Sequence, residues 1–155
     1  MADGSRGVPF PKRIRLPAEA YGDRDRVFHV VIRARVESIP FRDDEVAGAV
    51  WEVLEQEASS EHVALAAACL MPDHLHLAAS PGDITLTAWI GRFKSLSTRV
   101  VWREGWRGVL WQPSFFDRYV RPGDWDEVLA YIVNNPVAEG LCDDASTWPW
   151  RAVWE

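Results

Sequence analysis

His74 and His76 stand one residue apart in the run Met71-Pro72-Asp73-His74-Leu75-His76-Leu77, a spacing that can hold a metal ion. On a strand, side chains at i and i+2 leave the same face, so the two imidazoles can address one point. Two histidines are half a site. Further along, Glu127, Tyr131 and Asn135 follow at intervals of four, which aligns them on one face of a helix. If that face lies over the histidine strand, Asn135 can give its side-chain oxygen to a cation held by His74 and His76. Tyr131 then stands beside the same ion. Cys69 and Cys142 have no metal-type spacing and read as packing residues, kept as thiols in a reducing compartment. His29 and His62 have no partner in the sequence and read as structural.

Hydrophobic periodicity supplies the elements that must position these groups. Val27 to Val36 alternates as a first strand, with Phe28, Val30, Ile32, Ala34 and Val36 on one face and His29, Val31, Arg33 and Arg35 on the other. Asp43 and Asp44 open a helix of about 15 residues whose apolar stripe is Val46, Val50, Val53 and Leu54. His62 to Leu70, almost wholly apolar, reads as a buried second strand. Pro72-Asp73 makes a turn, and His74 to Ala79 returns as the third strand. A long helix follows from about Ile84 to Arg103, with Leu86, Ile90, Phe93 and Val100 or Val101 inward, until Gly105 and Gly108 break it. A fourth strand falls within Val109 to Val120. A last helix runs from Asp124, its N-cap, to about Asn135, with Trp125, Val128, Leu129 and Ile132 as its core stripe. Pro136 ends it.

The order βαββαβ with one added helix predicts an α+β, ferredoxin-like fold built on an antiparallel sheet. We divide the chain into an extended basic arm over 1–25, a catalytic domain over 26–140 and a Trp-rich tail over 141–155 packing back onto that domain. At 155 residues one core is expected. With no signal-peptide core and no long apolar run, the chain reads as cytoplasmic, without a membrane partner. The net charge of −6 is unevenly spread: residues 1–42 and 81–123 each carry +4, whereas 43–80 carry −8 and 124–155 carry −6. A basic face can therefore exist on an acidic protein.

Several stretches together resemble a known family. Met71 to Leu77 resembles the histidine–hydrophobic–histidine motif of single-tyrosine HUH endonucleases, in the form used by IS200/IS605-type transposases. Phe93-Lys94-Ser95, Trp111-Gln112-Pro113-Ser114-Phe115-Phe116-Asp117-Arg118 and Tyr131-Ile132-Val133-Asn134-Asn135-Pro136-Val137 recur in the same order as in that family. The last two are especially similar to its REP-associated tyrosine transposase branch. The likeness spans roughly residues 10–150. It implies that His74, His76 and Asn135 bind a divalent metal, Mg²⁺ or Mn²⁺, and that Tyr131 is the nucleophile. It further implies cleavage of single-stranded, hairpin-bearing DNA with the 5′ phosphate passing to the tyrosine, followed by rejoining. A phenol, with an ordinary pKa of about 10, needs activation for such a step. One departure from the family pattern is Asp73, where asparagine is usual.

Candidate DNA contacts are Lys12, Arg13 and Arg15 in the arm, Arg92, Lys94, Arg99 and Arg103 on the long helix, and Arg118 on the fourth strand. Each reads equally as a phosphate contact or as part of a solvated face. Two other readings stay open: a nucleic-acid-binding descendant that no longer cuts, favoured by the acidic balance, and an unrelated small metal-dependent hydrolase. Monomer and homodimer are both compatible with the sequence, as is a tyrosine serving either its own histidines or a partner's.

Overall fold

The alternation of β1 (Val27–Arg33) sets up two unlike sheet faces. Phe28, Val30 and Ile32 are fully buried on one side, whereas His29, Val31 and Arg33 face the other. In the computed structural model, which describes residues 16–35 and 39–154, β1 is joined by β2 (Val63–Met71), β3 (His74–Pro81), β4 (Phe116–Val120) and β5 (Arg151–Val153). All pairings are antiparallel, in the order β4-β1-β3-β2-β5. The first four strands have the ferredoxin-like arrangement expected from the sequence.

Helices α1 (Asp44–Ala58) and α2 (Leu86–Arg103) cover the first face. The Asp43 carboxylate caps α1, accepting from the Glu45 and Val46 amides. Thr85 caps α2 by accepting from the Ala88 amide at 3.1 Å. Gly105, at φ +97°, carries the chain out of α2 in a conformation that other residues reach with difficulty. Val46, Val50, Val53, Leu54, Leu86, Ile90, Phe93 and Val101 pack as their periodicity predicts. Trp89 joins them, fully buried, because the Glu57 carboxylate accepts its indole N–H at 2.9 Å.

Helix α3 (Trp125–Val133) lies on the second face, where Ile132, flanked by Val128 and Leu129, meets Ala67, Cys69, Met71 and Ala78. Strand β2 is apolar nearly throughout because its second half is covered on both sides. A bulge between Leu65 and Ala67 shifts its register there. Among the described residues, no helix is long and apolar enough to cross a membrane.

Several expectations are corrected. The N-terminal segment is not extended up to residue 25: Ala18–Gly22 form a 3₁₀ turn, Tyr21 stacks on Phe28 with ring centroids 5.2 Å apart, and its hydroxyl donates to Asp117. Trp125 is 40% exposed and is not part of the α3 stripe. Asp124 occupies the α3 N-cap position, but its side chain accepts no capping bond. The last helix is interrupted at Asn134, and a separate one-turn helix, α4 (Asn135–Ala138), begins there with Pro136 in its first turn rather than after its end. The tail also contributes β5, which has no periodicity of its own and pairs with β2 through Ala67, Ala68 and Cys69.

Burial separates the two thiols. Cys69 has no exposed surface, and burial pushes its pKa up to about 12, whereas Cys142 is partly exposed. A thiol reagent at pH 8 is expected to label one cysteine in the native protein and two in denaturant. Rapid native labelling of both would contradict this packing.

Candidate active site

The turn Pro72-Asp73 is held from both sides: the Ala34 amide donates to the Asp73 carbonyl and the Phe41 amide to the Pro72 carbonyl. That anchoring fixes where β3 begins, and alternation then sends His74, His76 and Ala78 to the second face. Antiparallel pairing places Arg33 opposite His74, Val31 opposite His76 and His29 opposite Ala78 on β1. On β2, Met71 and Cys69 stand opposite His74 and His76.

Four side chains form a hydrogen-bonded chain. His74 Nδ1 lies 2.7 Å from Asp73 Oδ1, His74 Nε2 lies 3.1 Å from His76 Nε2, and His76 Nδ1 lies 3.0 Å from His29 Nε2. A carboxylate only accepts, so His74 donates from Nδ1 and keeps a lone pair on Nε2. With one proton per neutral ring, the order that satisfies every link runs from His29 Nε2–H to His76 Nδ1, then from His76 Nε2–H to His74 Nε2. The hydrogen bond from His74, partly opposed by burial, lowers the Asp73 pKa.

Burial dominates at the other end of this chain. It holds His76 well below the usual histidine range, assisted by the charges of His74, His29 and Arg33. Burial, then the charges of Arg118 and His74, lower His29 to about 4. Both rings are therefore neutral at pH 7. The unfolded chain takes up protons below about 6.5 that the folded rings refuse, so stability falls as pH drops from about 6.5 toward 4 and is level above that window. In EDTA, the unfolding free energy from urea titration is expected to be lower at pH 5 than at pH 7.5 by on the order of 2 kcal/mol for His29 alone, with a correspondingly lower midpoint. An unchanged midpoint would show that these rings charge freely in the fold.

Tyr131 comes to the same place from α3. Seating Ile132 on β2 leaves the neighbouring Tyr131 at the helix edge, 39% exposed. Its ring meets His76 edge-on at 5.8 Å between centroids and His29 at 5.9 Å. Asn135 is only 2% exposed, and among the described residues its side-chain amide has no hydrogen-bond partner. No three His, Cys, Asp or Glu side chains among the described residues converge as a metal site. The donors offered are two imidazoles and an amide. They fit a divalent ion: nitrogens about 2.1 Å from a shared cation at octahedral to tetrahedral angles lie about 3.0–3.4 Å apart, which brackets the 3.1 Å seen between the Nε2 atoms. A buried, unpaired amide is also a group in need of a partner.

His29 is the member of this cluster that sequence reasoning left as structural. Its alternation already put it on the β1 face shared with Arg33, but only the register of β1 against β3 brings it to His76. Arg33 comes to the site in the same way.

The predicted cations divide by face. Arg118 is the cross-strand partner of His29 and lies at the site. Arg92, Lys94, Arg99 and Arg103 belong to α2, across the sheet from the histidines. Arg92 makes a two-pronged pair with buried Glu57, at 3.0 and 3.2 Å. Lys94 donates to the Gln112 and Ser114 carbonyls, Arg99 bonds Ser95 Oγ, and Arg103 is exposed in the last turn. Lys12, Arg13 and Arg15 lie outside the described residues. Tyr119 packs on Phe28 beneath Arg26 on the first face, across the sheet from the histidines.

Comparison with known proteins agrees with this architecture. The structure of a REP-associated tyrosine transposase bound to a REP hairpin superposes with a TM-score of 0.64, at 20% identity, over 84% of this chain and 78% of that one. A proposed transposase from Deinococcus radiodurans gives a TM-score of 0.52 at 23% identity, over 70% of this chain and 88% of that one. At these identities the likeness is one of fold. No curated protein sequence matches the chain. The sequence model for IS200-like transposases matches residues 25–135, a span that begins just before β1 and ends at Asn135, and on that match the chain belongs to the IS200-like transposase family.

Proposed function

We propose that this protein is a metal-dependent, single-stranded DNA endonuclease and strand transferase that works through a 5′-phosphotyrosine at Tyr131, on DNA bearing a hairpin. The observation that carries the reading is the placement of the Tyr131 ring against His76 and His29 of its own chain. His74, His76 and Asn135 would hold Mg²⁺ or Mn²⁺; their mixed nitrogen and oxygen donors suit Mn²⁺ somewhat better. When bound, such an ion supplies Lewis-acid polarisation of the scissile phosphate and stabilises the charge that builds up there.

The protein's own groups do the rest. The Tyr131 oxygen attacks phosphorus as the P–O3′ bond breaks; the phenol gives up its proton and the departing 3′ oxygen gains one. One phosphate ester is exchanged for another, so rejoining needs no nucleotide triphosphate. Arg118, the cross-strand neighbour of His29, would contact phosphate. The REP hairpin bound by the structural neighbour supports a hairpin as the ligand. Asp73, at the mouth of the site, accepts from His74 Nδ1 and leaves Nε2 facing the cation position, the usual work of a carboxylate behind a metal-binding histidine.

The test is a covalent adduct. Incubated with labelled hairpin-bearing single-stranded DNA, the protein is expected to form an adduct that survives denaturation in Mn²⁺ or Mg²⁺ and is absent in EDTA. Binding without an adduct in either metal would instead support a non-cutting descendant. No binding at all would count against hairpin-bearing DNA as the ligand.

A further inference from the structure

We infer that His29 is a positioning residue for the metal centre, the group that lets His76 present a bare Nε2. This rests on the reading of His74, His76 and Asn135 as a metal site. A neutral imidazole carries one proton. For His76 to offer Nε2 to a cation, that proton must sit on Nδ1, and whatever faces Nδ1 must accept it. The facing atom is His29 Nε2, at 3.0 Å.

His29 can take either role. In the metal-free order it donates from Nε2 to His76. With a cation bound, the His76 proton sits on Nδ1 instead of Nε2, and the His29 proton likewise moves from Nε2 to Nδ1. Each ring keeps one proton, and the hydrogen bond between the rings survives with its direction reversed. A side chain that only donates, or only fills space, would leave His76 with a buried N–H lacking an acceptor whenever it bound metal.

His29 is not a third ligand, because its Nε2 addresses the far nitrogen of the His76 ring. Its role is also orientational. The ring stacks on His76 with centroids 5.2 Å apart and 28° between planes, and it also meets Tyr131 edge-on. One side chain on β1 thus braces both a ligand from β3 and the tyrosine from α3. Partners of this kind behind a ligating histidine commonly change metal affinity by about 10–100-fold when removed.

Two variants separate hydrogen bonding from bulk. His29→Phe keeps a ring against His76 and Tyr131 but cannot accept. His29→Gln places an amide near the position of Nε2, able to accept or donate. Mn²⁺ affinity is read by electron paramagnetic resonance of the free ion, with melting of the metal-free proteins as a check on folding. His29→Phe is expected to bind Mn²⁺ about 10–100-fold more weakly, and His29→Gln to recover most of the loss. Nitrogen NMR of the metal-free protein reads the contact directly: the His76 Nδ1 resonance should move in His29→Phe and return toward its original position in His29→Gln. Wild-type affinity in His29→Phe overturns the role of His29 alone. Equal weakening by both variants also overturns it, since loss of the ring would then be responsible. If the wild type binds no Mn²⁺, the metal centre itself falls, and this role with it.

Discussion

Tyr131→Phe is expected to abolish the covalent DNA adduct while leaving hairpin binding and the fold intact. The substitution removes one oxygen and nothing else. The Tyr131 hydroxyl has no hydrogen-bond partner among the described residues, and the ring is 39% exposed, so stability should stay within about 0.5 kcal/mol of wild type. The ring contacts with His76 and His29 are kept by phenylalanine, so the metal site should also be undisturbed. What disappears is the atom proposed to bond to phosphorus, and cleavage should fall by roughly 10³-fold or more, as when other nucleophiles are removed. A gel of denatured reactions with matched binding curves measures both quantities. An adduct that persists in Tyr131→Phe would move the nucleophile elsewhere and sink the mechanism.

Loss of either proposed histidine ligand should be nearly as severe, and His74 and His76 should differ in a telling way. Either change to alanine removes one of two imidazoles from the proposed site. Metal-dependent catalysis contributes several kcal/mol to such reactions, so cleavage should fall roughly 10³-fold in both. Their effects on folding should diverge. His76 is 4% exposed, stacked on His29 and bonded to two other rings. Its removal opens a hole in the cluster under α3 and strands two hydrogen-bonding partners, which costs about 1–3 kcal/mol. His74 is nearer the surface, and its loss should move the melting temperature little. A His74→Ala protein that folds normally but neither binds Mn²⁺ nor cuts DNA separates chemistry from stability. Full cleavage by His74→Ala would refute the metal assignment.

The parts of the molecule legible in the sequence are those whose causes are local. The β1 alternation, the start of α1 at Asp43-Asp44 and the glycine after α2 each depend on a few neighbouring residues, and each stands where expected. The motif residues His74 and His76 were legible because a strand needs no distant information to put i and i+2 on one face. Tyr131 was legible only as a position along a helix. That this helix seats on the second sheet face follows from Ile132 fitting over Ala67, Cys69, Met71 and Ala78, a complementarity that no window of sequence displays. His29 was missed because its meaning depends on the register between β1 and β3. Arg92 looked like a surface cation, since nothing in its own helix indicates that α1 holds a buried carboxylate, Glu57, opposite it. β5 escaped because three residues have no periodicity; they form a strand only where β2 has an open edge to receive them.

That same strand ties folding order to topology. β2 is complete at Met71, yet its outer edge is covered only by Arg151–Val153, about eighty residues later; in the same strand the Leu70 amide waits for the Trp150 carbonyl and the Leu70 carbonyl for the Trp148 indole. On the opposite edge, β1 waits at least as long for β4. During synthesis an apolar three-stranded centre, β1-β3-β2, therefore emerges with both outer edges unpaired, the condition in which strands from neighbouring nascent chains add to one another. A chain cut before Arg151 should aggregate during refolding even though every proposed catalytic group is present in it.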